Sequence, residues 1–367
     1  MIINKRQAGM MIFTLTTAGK FLLLPSVYAQ FARQDAWVAG LTNLVADGAM
    51  LAAVLAFIKI SDGRSFYDLL ENSFGKFFAN AVYLTFSAYF TLKAIVPIFE
   101  HKKFIEISFY EAAPPVATFV PLFFLAFYFA VKGMKTFTRA SEILFRLTLA
   151  GTILAVALSI FQADFFNLLP VMKNPPKQTI YAGYMGLLWH GQPLALLFLA
   201  GRIKKEKGFY LRVALSFAAA AALCVLLLAV FTGIYGDLAP RETYAINKMT
   251  KYSLFSSTVM RFDYAVTILI TAGSLIALAA PLVFATDCAM KVFGNKRVWL
   301  IALVPCGALC AMTLFMPLYF RAIIEIFEKF FTPAMAFFAY AVPPLALLLT
   351  KKGKGRKEKI YETAFQK

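Results

Sequence analysis

Charge is scarce in this 367-residue chain: 15% of the residues are Asp, Glu, Lys or Arg, where a soluble domain carries about 25%. Hydrophobic residues make up 60% and the mean hydropathy is +0.71, which excludes a soluble globular domain and indicates a polytopic membrane protein. Histidine is scarcer still, with His101 and His190 alone in the chain. No cluster of metal-ligand spacing can be drawn from two histidines and four cysteines, so neither a metal nor a cofactor is expected. Cys224, Cys288, Cys306 and Cys310 all fall in or beside apolar runs, where thiols serve as small packing residues. Acids number 19 against 37 bases. The bases crowd at the ends of apolar runs and in short loops rather than along a solvated groove with interleaved aromatics, so nucleic acid is not an expected partner. No nucleophile–base pair or paired carboxylates converge at one depth, so no catalytic residues and no enzyme activity are expected. The first apolar run lacks an A-x-A-like cleavage site and is long enough to span.

A spanning helix needs about 20 apolar residues. Ten runs meet that length, at about 8–32, 36–58, 77–99, 115–131, 140–163, 178–201, 211–236, 262–287, 298–320 and 330–350. With the N-terminus inside, 23 Lys and Arg fall on the inner side and 11 on the outer, while Lys20, Lys93 and Arg146 lie within spans. That bias puts both termini in the cytoplasm, as an even number of spans requires. The expected organisation is one transmembrane domain over 1–350, with halves of about 1–163 and 178–350. A basic cytoplasmic tail over 351–367 suits anchoring at anionic membrane lipid.

Charges inside spans are costly, so each asks for a reason. Lys20 and Asp47 lie at similar depths in spans one and two and suit an ion pair that offsets their desolvation. A second reading of Lys20 starts from the backbone. Gly19 precedes it and Pro25 lacks an amide donor, so the helix can break there. Span six carries the same signature near its middle in "LLWHGQPLALL", with His190, Gly191, Gln192 and Pro193. Interrupted helices at matching places in two halves of opposite direction point to an inverted-repeat transporter fold. His190 suits either a packed core histidine or a site residue. Lys93, in the outer third of span three, suits snorkelling to the outer headgroups.

Ten spans in this length, a broken first helix ending at Leu24–Pro25, "KGMKTFTRASEILF" from 132, "DAWVAGL" from 35 and "NLLPV" from 167 together resemble the B subunit of spore germinant receptors. That is the endospore germination permease family of the amino acid–polyamine–organocation superfamily. The family's Gly–x(4–5)–Arg–x–x–Glu string reads here as Gly133, Arg139 and Glu142. Two positions depart from its pattern: Lys20 stands where a second glycine is usual, and Gln192–Pro193 follow Gly191 where an acid is usual. The resemblance implies an all-α membrane protein of five-plus-five inverted-repeat fold with helices 1 and 6 broken. It implies an amino acid or similar nutrient bound between spans one, three, six and eight, at Ala18, Gly19, Lys20, Trp189, His190, Gly191 and Gln192. It also implies A and C receptor subunits as partners in a spore inner membrane. In related sodium-coupled permeases, hydroxyls of span eight help hold a sodium ion. Here Thr271 and Ser274 are expected to face Lys20 instead, with its ammonium in the cation's place. With Asp47 close, the role of Lys20 is structural or electrostatic; with it far, Lys20 could exchange protons. The functions that follow are a ligand-sensing receptor subunit, a proton- or sodium-coupled amino acid transporter, or a structural subunit.

Overall fold

The computed structural model describes residues 3–108, 114–251, 262–294, 296–315 and 326–365, with the backbone alone for 351–365 and a few further positions, Ser274 among them. Among these residues the regular structure is helical, with an isolated bridge between Ile3 and Ile203 and no strand. The helices are α1 Lys5–Ala18, α2 Leu24–Ala32, α3 Ala36–Ile60, α4 Phe66–Phe74, α5 Lys76–Lys93, α6 Ile95–Ser108, α7 Pro115–Lys132 and α8 Met134–Ser159. They continue as α9 Pro176–Gly186, α10 Leu194–Leu199, α11 Phe209–Tyr235, α12 Ala245–Lys251, α13 Phe262–Phe293, α14 Val298–Phe315 and α15 Thr332–Phe365.

Seven helical segments among the described residues are long and apolar enough to cross a membrane: Leu24–Ile60, Lys76–His101, Met134–Gln162, Phe209–Arg241, Tyr264–Phe293, Val298–Phe315 and Lys329–Thr350. The first and sixth expected runs fall short of that length because each is divided, and the fourth holds the shorter apolar helix Phe119–Lys132. Phe77, Phe124, Phe161 and Phe315 stand open on the outside. Such a rim would be an aggregation liability in water and is ordinary in contact with lipid.

Local chemistry sets the helix ends. Asn4 starts α1 by accepting from the Gln7 amide at 2.8 Å, while the Gln7 side chain accepts from the Asn4 amide, a reciprocal cap that Ser65 and Asp68 repeat at α4. Gly133, with φ +75°, joins α7 to α8 in a single residue, a backbone conformation that side chains with a β-carbon seldom adopt. Helix α8 therefore begins at Met134 rather than near 140. In its first turns Thr138 and Ser141 return their hydroxyls to the carbonyls of Met134 and Phe137.

Helix α13 packs against α1, α5, α7 and α8, while α1 packs also on α8 and α11, and α3 on α9, α11 and α15. Small residues let α8 and α13 approach closely: a β-carbon on Gly151 would meet Leu269 at 2.8 Å, and one on Gly273 would run into Thr148. Two sequence motifs meet at one end of the bundle. Asp35 accepts from the amides of Met172 (2.8 Å) and Asn174 (3.1 Å), Gln34 donates to the Pro170 carbonyl, and Asn167 donates to the Gly233 carbonyl. These bonds tie the α2–α3 corner to the segment after α8 and to the end of α11.

Candidate functional site

Span one is interrupted between α1 and α2. Gly19 and Lys20 form a turn closed by the Lys20 amide on the Thr17 carbonyl at 3.0 Å, residues 21–23 are irregular, and α2 resumes with Pro25 in its first turn. Proline is tolerated there because its missing donor would have had no partner. Span six is interrupted as well. Helix α9 stops at Gly186, where a β-carbon would stand 2.6 Å from the Tyr28 hydroxyl, and a 3-10 turn over Leu187–Trp189 leads to the irregular residues 190–193. Gly191 has φ +92°, and a β-carbon on it would also meet Ala339 at 2.9 Å. Glycine there turns its amide toward a carboxylate.

That carboxylate is Asp47 of α3, wholly buried. Its Oδ1 accepts from the Gly191 amide (2.9 Å) and the Tyr340 hydroxyl of α15 (2.8 Å), and its Oδ2 lies 2.7 Å from His190 Nδ1. A carboxylate only accepts, so Nδ1 carries a proton toward it; in the neutral ring Nε2 then accepts from the Tyr28 hydroxyl, 2.9 Å away. The Tyr28 oxygen in turn accepts from Asn43 Nδ2 at 2.9 Å, which also donates to the Gly183 carbonyl. Lys20 Nζ stands 3.9 Å from Asp47 Oδ2, the expected pair. Its shorter bonds go to the Thr16 carbonyl (3.0 Å) and to Gln192 Oε1 (2.8 Å), while Gln192 Nε2 returns to the Trp189 carbonyl. The two breaks are thus joined through side chains on both sides.

Beside this network lies a cavity of about 70 Å³. Its walls come from the first break (Leu15, Gly19), the second break (Leu188, Trp189, Gly191, Gln192), the α5–α6 region from Tyr89 to Glu100, and α13 (Ala277, Ala280, Pro281, Phe284). Of the residues expected to bind ligand, Gly19, Trp189, Gly191 and Gln192 line it. Lys20, His190 and Asp47 belong to the bonded network behind the wall, and Ala18 is packed at the end of α1. Thr271 does not face Lys20 in a bond: its hydroxyl donates to the Thr267 carbonyl of its own helix at 2.7 Å. The side chain of Ser274 lies outside the described residues.

Two wall residues were not expected. Lys93 does not snorkel; its Nζ donates to the Leu188 and His190 carbonyls at 2.6 Å each, taking up acceptors that the second break leaves open. Glu100, 1% exposed, accepts on Oε1 from Trp189 Nε1 (2.8 Å) and from the Leu23 amide (3.1 Å), so it too touches both breaks. Among the described residues no group of three His, Cys, Asp or Glu side chains is arranged to hold a metal ion.

The arrangement sets a small cavity against both breaks, with Gly191 of its wall bonded to Asp47 of α3 and Asp47 bonded to Tyr340 of α15. A family model described as spore germination protein matches residues 2–319. Among curated proteins none matches the chain.

Proposed function

Because the chain belongs to the spore germination protein family, we propose that it is the membrane subunit of a spore germinant receptor. In this reading it senses a small nutrient, an amino acid or a similar molecule, in the cavity between its interrupted helices and triggers germination. The observation that carries it is the partly open cavity walled by both breaks, in which Gly191 bonds to Asp47 of α3 and Asp47 bonds on to Tyr340 of α15. A ligand shifts an equilibrium only as far as it binds two packings unequally. Contacts to Gly191 and Gln192 supply that inequality, since the same two residues bond to Asp47 and Lys20. The reading includes ten membrane crossings, two five-span halves of opposite direction, both termini in the cytoplasm, A and C receptor subunits as partners, and a spore inner membrane.

A coupled amino acid transporter is the second reading. It is favoured by the line of titratable groups from Lys20 through Asp47 and His190 to Tyr28, which crosses from one break to the other. Uptake and equilibrium binding of a labelled amino-acid panel by the purified chain in liposomes, with and without a pH gradient, separate the two. Saturable binding without accumulation supports the sensor, and gradient-driven accumulation supports the transporter. Absence of both would overturn each of them.

A further inference from the structure

Helices α2 and α9, one from each interrupted span, pack on each other in antiparallel register. Gly186 abuts Tyr28, and farther from the breaks Phe31 meets Tyr181 edge to face at 5.0 Å. Beyond that pair, where Arg33 follows α2 and Lys177 opens α9, a groove of about 640 Å³ lies between the two helices. Its polarity is ordered along its length. Lys177, Tyr181 and Tyr184 recur at helical spacing on one face of α9, so its charged and aromatic ends lie about 10 Å apart along the axis. The rings of Tyr181 and Tyr184 are stacked at 6.3 Å, and Ile180, 72% exposed, extends the apolar wall. Among the described residues no acid lines the groove, and neither Arg33 nor Lys177 is in an ion pair. Asp35, two residues from Arg33, has both oxygens taken by the amides of Met172 and Asn174 and by the Asn174 side chain. In the proposed orientation this end of the bundle is on the outer side, where bases number 11 against 23 inside, yet Arg33, Lys173 and Lys177 gather there.

We propose that this groove binds one anionic phospholipid, its phosphate between Arg33 and Lys177 and its glycerol and acyl chains running past Tyr181, Tyr184 and Ile180. The site is separate from the cavity between the breaks, and the inference does not depend on nutrient sensing. Two unpaired cations at one end require an anion, and guanidinium and ammonium groups both recognise phosphate oxygens. The aromatic and aliphatic wall selects the lipid over a free phosphate, which would meet the charged end alone. At about 30 Å³ per molecule, the groove has the volume of about twenty waters, more than one inorganic anion fills. Tyrosine suits the depth of the headgroups, where its ring is apolar and its hydroxyl stays wet. A phosphate shared by Arg33 and Lys177 ties the far ends of α2 and α9 together. Tyr28, whose hydroxyl lies 2.9 Å from His190 Nε2, is on the same helix that Arg33 follows. The lipid therefore steadies the packing at the second break from outside the cavity.

The test is retention of lipid by the full chain in mixed micelles of phosphatidylcholine and phosphatidylglycerol, counted by native mass spectrometry. Each base near an anionic headgroup contributes roughly fivefold, so the parent should favour phosphatidylglycerol at least tenfold. The double variant Arg33→Gln/Lys177→Gln should fall to within about twofold of no preference, while Arg33→Lys/Lys177→Arg keeps most of it. Phosphatidylglycerol should also raise the melting temperature of the parent. The neutral double variant should melt with the parent in phosphatidylcholine alone and lose only that rise, which separates lost binding from lost folding. Replacing Lys351 and Lys352 of the tail by Gln should leave the preference intact. A preference that survives in the neutral double variant, or that falls only with the tail lysines, would overturn the groove. So would a parent chain without preference. Displacement of the lipid by sn-glycerol 3-phosphate at equal concentration would make this a site for a small anion and overturn the phospholipid as its ligand.

Discussion

Replacing Asp47 by alanine removes one carboxylate and strands four groups. The Gly191 amide, the Tyr340 hydroxyl and His190 Nδ1 lose their acceptor, and the Lys20 ammonium loses its counter-charge. Three orphaned donors at about 1–3 kcal/mol each would cost ~3–9 kcal/mol by soluble-protein measurements. Polar contacts between membrane helices average ~0.6 kcal/mol, because the unfolded chain in lipid finds other partners, which sets a floor of ~2 kcal/mol. The expected loss is ~4 kcal/mol, between those limits. At about 2 °C per kcal/mol, the lower end of the range for long chains, that lowers the melting temperature by ~8 °C. Asp47→Asn keeps an oxygen for Gly191 and Tyr340 but sets an amide donor against His190 Nδ1, which must then change tautomer. Its cost is expected near ~1–2 kcal/mol, the range of one exchanged hydrogen bond. Melting followed with a thiol-reactive dye reads both, since Cys224, Cys288 and Cys306 are buried and free. Equal shifts for the two variants, or an alanine shift under about 2 °C, would refute the hub role of the carboxylate.

Gly186→Ala pushes a methyl group into Tyr28 and should cost ~1–3 kcal/mol as overpacking. A melting temperature equal to that of the parent would show that α9 can move aside. Gly191→Ala combines a φ of +92° with the Ala339 contact, so it should lower both stability and ligand affinity; equal affinity in the binding assay would remove Gly191 from the site. Trp189→Phe deletes the indole donor to Glu100, and a loss of ~1 kcal/mol is expected, measured as a melting shift of a few degrees. Asp35→Ala releases the amides of Met172 and Asn174, so limited proteolysis should cut near 170–175 faster than in the parent.

Both breaks were legible in the amino-acid sequence because glycine, proline and polar side chains interrupt otherwise apolar runs at Gly19–Lys20 and at His190–Pro193. The Lys20–Asp47 pairing followed from depth alone. Depth does not say which way round its helix a side chain points, and that is where the reading missed. Lys93 sits at a depth that suits snorkelling, yet its azimuth carries it inward to the second break. Glu100 is followed by His101, Lys102 and Lys103, and so reads as the wet end of a span, although the chain buries it. Tyr28, Asn43 and Tyr340 carry no charge and resemble any other polar residue in a membrane helix; only packing reveals Tyr28 as the partner of His190, Asn43 as the partner of Tyr28, and Tyr340 as a partner of Asp47. Helix lengths were misjudged where an amphipathic turn prolongs an apolar run, as at Met134.

The bonds to Asp47 also differ in when they become available. Tyr340 follows the carboxylate by 293 residues and His190 by 143. At about 5–20 residues per second, synthesis of the final partner comes roughly 15–60 s after Asp47 itself. Throughout that interval Lys20, already made, is the one charged partner at hand among those the finished molecule uses. A contact of 3.9 Å that ranks last in the completed network is the first in time. Lys20→Met should therefore reduce the yield of membrane-inserted protein more than it reduces the melting temperature of the molecules that mature. Pulse-labelling with protease protection would register the difference, because the newborn chain needs the lysine longest.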